Sequence, residues 1–122
     1  VLRDPGDIID RASIAFLKNK RIGMDESKRE WEAFSIEIET LKDKYQMLPI
    51  EMFFNLLLNI NQMIWDLEAD LRQGKLDGAL SEVGRRAIEI REHNALRVQV
   101  KNIINKITNS GFQDIKLDHI SS

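Results

Sequence analysis

The sequence predicts an all-α fold: a bundle of about four helices, with one long C-terminal helix and a short irregular tail. Three observations predict it. Apolar residues recur at three- and four-residue steps through four successive segments, the spacing of a helix that buries one side. The chain has only two prolines and six glycines, and these fall largely at the breaks between the segments. No segment is strand-rich, and there is no internal repeat or low-complexity stretch. At 122 residues, 43% apolar and 31% charged, the composition is that of one globular domain, with the bundle over 1–111 and the tail over 112–122.

Each element has its own punctuation. Asp4-Pro5 opens the first helix as an N-cap acid followed by proline in the first turn. Ile8, Ala12, Ala15 and Phe16 carry it to about Arg21, and Gly23 ends it. Asp25 or Ser27 can cap the second helix, Ser27 and Glu30 having capping-box spacing. Trp31, Phe34, Ile38, Leu41 and Tyr45 follow on one side, and Pro49 closes the segment. The third helix is the clearest: Phe53, Leu57, Ile60, Ile64, Leu67 and Leu71 repeat at four-three-four-three-four spacing up to Gly74. Asp77-Gly78 is a turn, and Asp77 or Ser81 can cap a fourth helix running to about Asn109, before Ser110-Gly111. The tail from Phe112 to Ser122 is placed along the bundle or across to a neighbouring subunit.

Composition narrows the function. There are no cysteines, so disulfides, thiolate metal sites and cysteine nucleophiles are excluded. A formal charge of −2 provides no field for nucleic acid or anionic lipid. The arginines and lysines of the fourth helix are interrupted by Glu82, Glu89 and Glu92, and no reading-helix motif occurs. The apolar runs are far shorter than a membrane span, and a charged start followed by proline does not read as a secretory leader. The expected location is therefore cytoplasmic, with neither membrane nor nucleic acid as partner.

The fourth helix holds the most informative feature. Val83, Ala87 and Ile90 set up an apolar stripe that Asn94, Arg97 and Lys101 continue with an amide and two cations. At ~100° per residue these three fall within ~40° of Ile90. Beyond them Leu96, Val100, Ile103 and Ile107 form a second apolar stripe rotated by more than ~90°. Either the polar residues line a site between helices, or the helix changes the face that it buries. The candidate binding constellation is Asp10 and Lys18 on the first helix, Trp65, Asp66 and Asp70 on the third, and Asn94, Arg97 and Lys101 on the fourth. Glu68 and Asn105 lie nearby. Two cations among carboxylates suit a small anionic or zwitterionic ligand. The same residues equally suit a salt-bridge network that sets helix register.

Several strings in the chain resemble a family of small helical bacterial and phage proteins of unknown function. Gly6-Asp7-Ile8-Ile9-Asp10-Arg11 leads into Ser13-Ile14-Ala15-Phe16-Leu17-Lys18, against the family's G-x-[IL]-I-D-[KR]-x-[ST]-I-L-x-x-K. Asn59-x-Asn61-Gln62-x-x-Trp65-Asp66-Leu67-Glu68-x-Asp70-Leu71-Arg72 is similar to its central N-x-x-[LI]-W-D-[IL]-E-D-x-[IL]-R. Asn94-x-x-Arg97-x-x-x-Lys101-x-x-Ile104-Asn105 is similar to its closing N-x-x-R-x-x-x-K-x-x-I-N. Ala12, Phe16 and Ala69 depart from the pattern. The resemblance implies one helical domain and a shared polar constellation.

Other chemistry is weakly signalled. All-α nucleotide pyrophosphohydrolases hold magnesium with E-x-x-E followed a helix later by E-x-x-D. Here Glu89 and Glu92 fit the first half, no E-x-x-D follows, and Asp66 and Asp70 come before. His93 and His119 lack a second histidine at ligand spacing, so no metal site is expected. There is no nucleophile elbow or glycine-rich phosphate loop, and neither a catalytic residue nor a cofactor can be named. Trp31 and Trp65 read as core or interface anchors. Trp65 sits on the flank of its stripe, suited to a dimer seam or to the wall of a pocket. The sequence thus predicts a helical binding or assembly protein, dimeric, with a polar seam between helices one, three and four. The alternative is a small-molecule or phosphate-binding enzyme sited there.

Overall fold

The computed structural model describes residues 3–74 and 78–108, which form four helices: α1 (Pro5–Arg21), α2 (Asp25–Lys44), α3 (Ile50–Arg72) and α4 (Leu80–Ile107). No strand occurs among the described residues. Asn109, Ser110, Gly111 and the tail lie outside them, as does Asp77.

The start of α1 is as expected. The Asp4 carboxylate accepts the Asp7 backbone N–H at 2.8 Å, and Pro5 occupies the first turn. Gly23 leaves the helix at φ 70°, a left-handed conformation that side chains disfavour. The expected cap of α2 differs. Met24 is the N-cap without a side-chain bond, and Ser27 lies buried one turn inside the helix. Ser81 likewise falls inside α4, whose N-cap is Ala79.

Helix α1 is the centre of the bundle and packs against the other three. Asn61 meets Asp10 and Ser13 while Asp66 meets Arg21, so α3 runs parallel to α1. Arg97 meets Asp10 while Asn105 meets Gly6, so α4 runs antiparallel to α1. Helices α3 and α4 pack along each other, whereas α2 lies on α1 and barely touches α3.

The core follows the predicted stripes. Phe53, Leu57, Ile60 and Ile64 of α3 meet Ile9 and Ala12 of α1, Ile38 and Leu41 of α2, and Val100 and Ile104 of α4. Leu67 and Leu71, at the far end of the ladder, are only half-buried. Each fully buried aliphatic side chain stabilises the fold by about 1.5–3 kcal/mol. Phe16 of α1 stands edge-on to Trp31 and Phe54, with ring centroids 5.1 Å and 5.9 Å away, joining α2 to α3 through α1. At the other end of α1, Gly6 permits a close crossing. A Cβ there would stand 2.5 Å from the Lys101 carbonyl oxygen. No helix among the described residues is long and apolar enough to cross a membrane.

Candidate functional site: a polar seam and an outer apolar face

Arg97, Lys101 and Asn105 of α4 turn toward α1. Asp10 is completely buried. A buried carboxylate needs both charge compensation and hydrogen bonds, and Asp10 has them. Arg97 Nε donates to its two oxygens at 2.9 Å and 3.0 Å, and Arg97 Nη2 donates to Oδ2 at 2.7 Å. Asn61 Nδ2 on α3 donates to Asp10 Oδ1 at 3.0 Å and to Ser13 Oγ at 2.9 Å. Ser13 Oγ donates in turn to the Asp10 carbonyl at 2.7 Å.

Lys101 extends the seam toward the N-terminus of α1. Its Nζ stands 3.4 Å from Asp7 Oδ1 and 3.8 Å from Asp10 Oδ2. One turn further, Asn105 Oδ1 accepts the Gly6 N–H at 2.8 Å. That bond satisfies a first-turn donor that no helix can satisfy internally. Asn94 Oδ1 accepts from Arg97 Nη1 at 3.3 Å. The hydrogen bonds to Asp10 raise Arg97 above the ordinary arginine value against the desolvation of its half-buried side chain, so it stays charged. Within the seam, Asp7 and Asp10 balance Arg97 and Lys101.

Four candidate residues, Asp10, Asn94, Arg97 and Lys101, are thus brought together. Trp65 joins them at one edge, where it shares with Asn61, Glu68, Asn94 and Arg97 a cleft of about 180 Å³. The other three lie elsewhere. Lys18 pairs with Glu30 of α2 at 3.6 Å. Asp66, 60% exposed, receives Arg21 Nη1 at 2.5 Å, and the same guanidinium stacks 5.7 Å from the Trp65 ring centroid. Asp70 receives Arg86 at 2.8 Å. Helical spacing could not separate these from the seam, because the facing helix supplies the partner.

Three seam residues escaped the sequence reading as site members: Asp7, Ser13 and Asn61. Asn61 had a signal. It falls four residues after Leu57 and three before Ile64, an amide on a buried stripe. Of the acids considered for magnesium, Glu89 is held by Arg85, and Asp66 and Asp70 are held as above. Among the described residues no group of three or more histidines or carboxylates is gathered to hold a metal ion. His93 is half-buried, its Nδ1 2.7 Å from the Glu89 carbonyl oxygen.

The second apolar stripe of α4 is mostly unburied. Val100 enters the core, but Leu96, Ile103 and Ile107 remain 44–55% exposed. On α3, Met52, Leu56 and Met63 are similarly open, at 41–56%. At ~100° per residue, each set lies on average ~130–160° from the seam residues of its own helix and next to the line where α3 and α4 meet. The two sets therefore share one outer face of the α3–α4 pair, turned away from α1.

Comparison of the chain with known protein families, curated proteins and solved structures finds no match.

Proposed function

We propose that this chain is a helical assembly module that pairs with a second copy through the outer face of α3 and α4. The carrying observation is that six large apolar side chains, Met52, Leu56, Met63, Leu96, Ile103 and Ile107, stand about half-exposed on one side of two adjacent helices. Scattered apolar residues are ordinary on a surface, but a contiguous patch marks an interface.

The face suits a second copy in particular. An interface about a two-fold axis is self-complementary, each residue meeting its symmetry counterpart's neighbours. An antiparallel α4–α4 pairing centred on Gln99 sets Leu96 of one copy beside Ile103 of the other. The same pairing sets Glu92, seven residues before Gln99, opposite Lys106, seven residues after it. Both charges are exposed and project on the Gln99 side of the helix. Leu56 lies at the level of the axis, with Met52 and Met63 to either side. In this reading the Asp10–Arg97 seam holds α4 at a fixed angle against α1, which keeps the outer face in shape.

The enzyme alternative draws on the cleft beside Trp65, where Arg97 is the available cation. Its guanidinium already spends Nε and Nη2 on Asp10, so an anionic ligand would compete with a buried carboxylate. The assembly reading therefore has the stronger support.

Sedimentation equilibrium over a wide concentration range tests the proposal. A mass twice the 14.2 kDa of the chain is expected, and Leu96→Glu with Ile103→Glu should return it to one chain mass with unchanged helicity. A single chain mass at every concentration, or a dimer indifferent to that double substitution, would overturn it.

A further inference from the structure

The weak contact between α2 and α3 leaves an open cleft of about 200 Å³ on the other side of α3 from the assembly face. Its walls are Trp31 of α2 and Phe54 and Ile50 of α3. The Trp31 and Phe54 rings stand 6.0 Å apart at 46°, braced from beneath by Phe16. This volume exceeds the ~150 Å³ of a cavity that takes up benzene. Ring faces carry negative potential and attract cations, most strongly in tryptophan.

The mouth is acidic. Glu39 and Glu51, on opposite walls, are 71% and 83% exposed, and between them stands the ammonium of Lys42, 3.3 Å and 3.4 Å from their carboxylates. The hydrogen bond with Glu39, with the further one to Glu51, raises Lys42 above its ordinary value. Two carboxylates against one ammonium leave the mouth with a net negative charge. The chain's own lysine already shows that an ammonium is accommodated between them.

We propose that this cleft binds a small organic cation with an apolar body, of the aralkylammonium class. The apolar body seats against Trp31, Phe54 and Ile50. The cationic head sits at the mouth between Glu39 and Glu51, displacing Lys42 toward solvent. The proposal is independent of the assembly face, since it uses α2 and the opposite side of α3.

Isothermal titration of the full chain with benzyltrimethylammonium, benzyl alcohol and benzenesulfonate tests it. The cation should bind at least about tenfold more tightly than the neutral and anionic probes, because only its charge is complementary to the two carboxylates at the mouth. Glu39→Gln with Glu51→Gln should remove that preference. Lys42→Gln should tighten cation binding severalfold, because it removes the internal competitor. All three positions lie at the surface, so folding is spared, and a far-ultraviolet circular dichroism spectrum confirms it. No heat with the cation, equal binding of all three probes, or weaker cation binding by the Lys42→Gln variant would each overturn the proposal.

Discussion

Arg97 of α4 forks onto both carboxylate oxygens of Asp10 of α1, across 87 residues of sequence and at a point no solvent reaches on the aspartate side. The pair ties the last helix to the first. It also explains why an arginine occupies a stripe that otherwise carries aliphatic residues: the stripe faces a buried acid, and only a charged donor there satisfies it. Ion pairs of this kind contribute more to geometry than to net stability, because desolvation offsets the Coulomb attraction. Removing one partner is a different matter.

Arg97→Met should therefore cost about 3–5 kcal/mol by urea unfolding, the penalty of an uncompensated buried charge. The low end is expected, because Lys101 stays 3.8 Å from Asp10. A double-mutant cycle of Asp10→Asn with Arg97→Gln should give a coupling of about 2 kcal/mol. Additive effects of the two substitutions would show that the pair does not act as a unit.

Gly6→Ala should destabilise by about 1–3 kcal/mol, as overpacking does. In an open helix the same change would stabilise by roughly 0.5–1 kcal/mol. The sign reverses because the new Cβ would meet the Lys101 carbonyl oxygen at 2.5 Å and Asn105 Oδ1 at 2.9 Å. Backbone stands in the way, so α1 and α4 must separate. Thermal denaturation of the variant reads the sign directly, and a raised midpoint would count against the close crossing.

Glu92→Lys alone and Lys106→Glu alone should each weaken self-association, and the two together should restore it. Exposed ion pairs contribute about 0.2–1 kcal/mol each, and a two-fold interface contains the pair twice. The dimer dissociation constant, followed by sedimentation at low salt, measures the effect. Failure of the double variant to recover would rule out the antiparallel register about Gln99 while leaving association itself open to other geometries.

Glu82 should titrate below the ordinary carboxylate range. The hydrogen bond from Arg85 lowers it, with coulombic help from Arg85 and Arg86 against desolvation. The sign is the usual one for a depressed acid: its contribution is present above the unfolded value and is lost as pH falls through the folded value. The Glu82–Arg85 pair stands at the surface, where solvent screens it, so global stability should hardly respond. Carbon-detected NMR of the Glu82 carboxyl should show the lowered midpoint, and Arg85→Gln should return it to the normal range.

The helices and their buried stripes were legible in the sequence. Phe53, Leu57, Ile60 and Ile64 repeat at the helical period, and chain geometry alone places them on one side. Asp4 before Pro5 identified the first cap for a reason internal to four residues. The cap of α2 was not legible in the same way. Ser27 has the right spacing to Glu30, but Met24 takes the cap position and the serine is buried within the helix.

The site was legible in part. Asn94, Arg97 and Lys101 drew attention because they interrupt an apolar stripe, and Asp10 because it stands in the opening string of the resemblance as an acid opposite in charge to the two cations. Lys18, Asp66 and Asp70 have the same residue types at similar spacing, yet they pair with Glu30, Arg21 and Arg86. Nothing local distinguishes the two groups.

By itself, then, the sequence determined an all-α chain of four helices, the sides they bury and the place where burial is interrupted. These follow from the period of the helix, which each segment carries within itself. Only the tertiary structure decided which charges meet and where the stripe of Leu96, Ile103 and Ile107 points. Both depend on how α1, α3 and α4 are rotated against one another. That rotation is set by contacts far apart in sequence, such as Gly6 against Lys101 and Asn61 against Asp10, and no helix contains them alone.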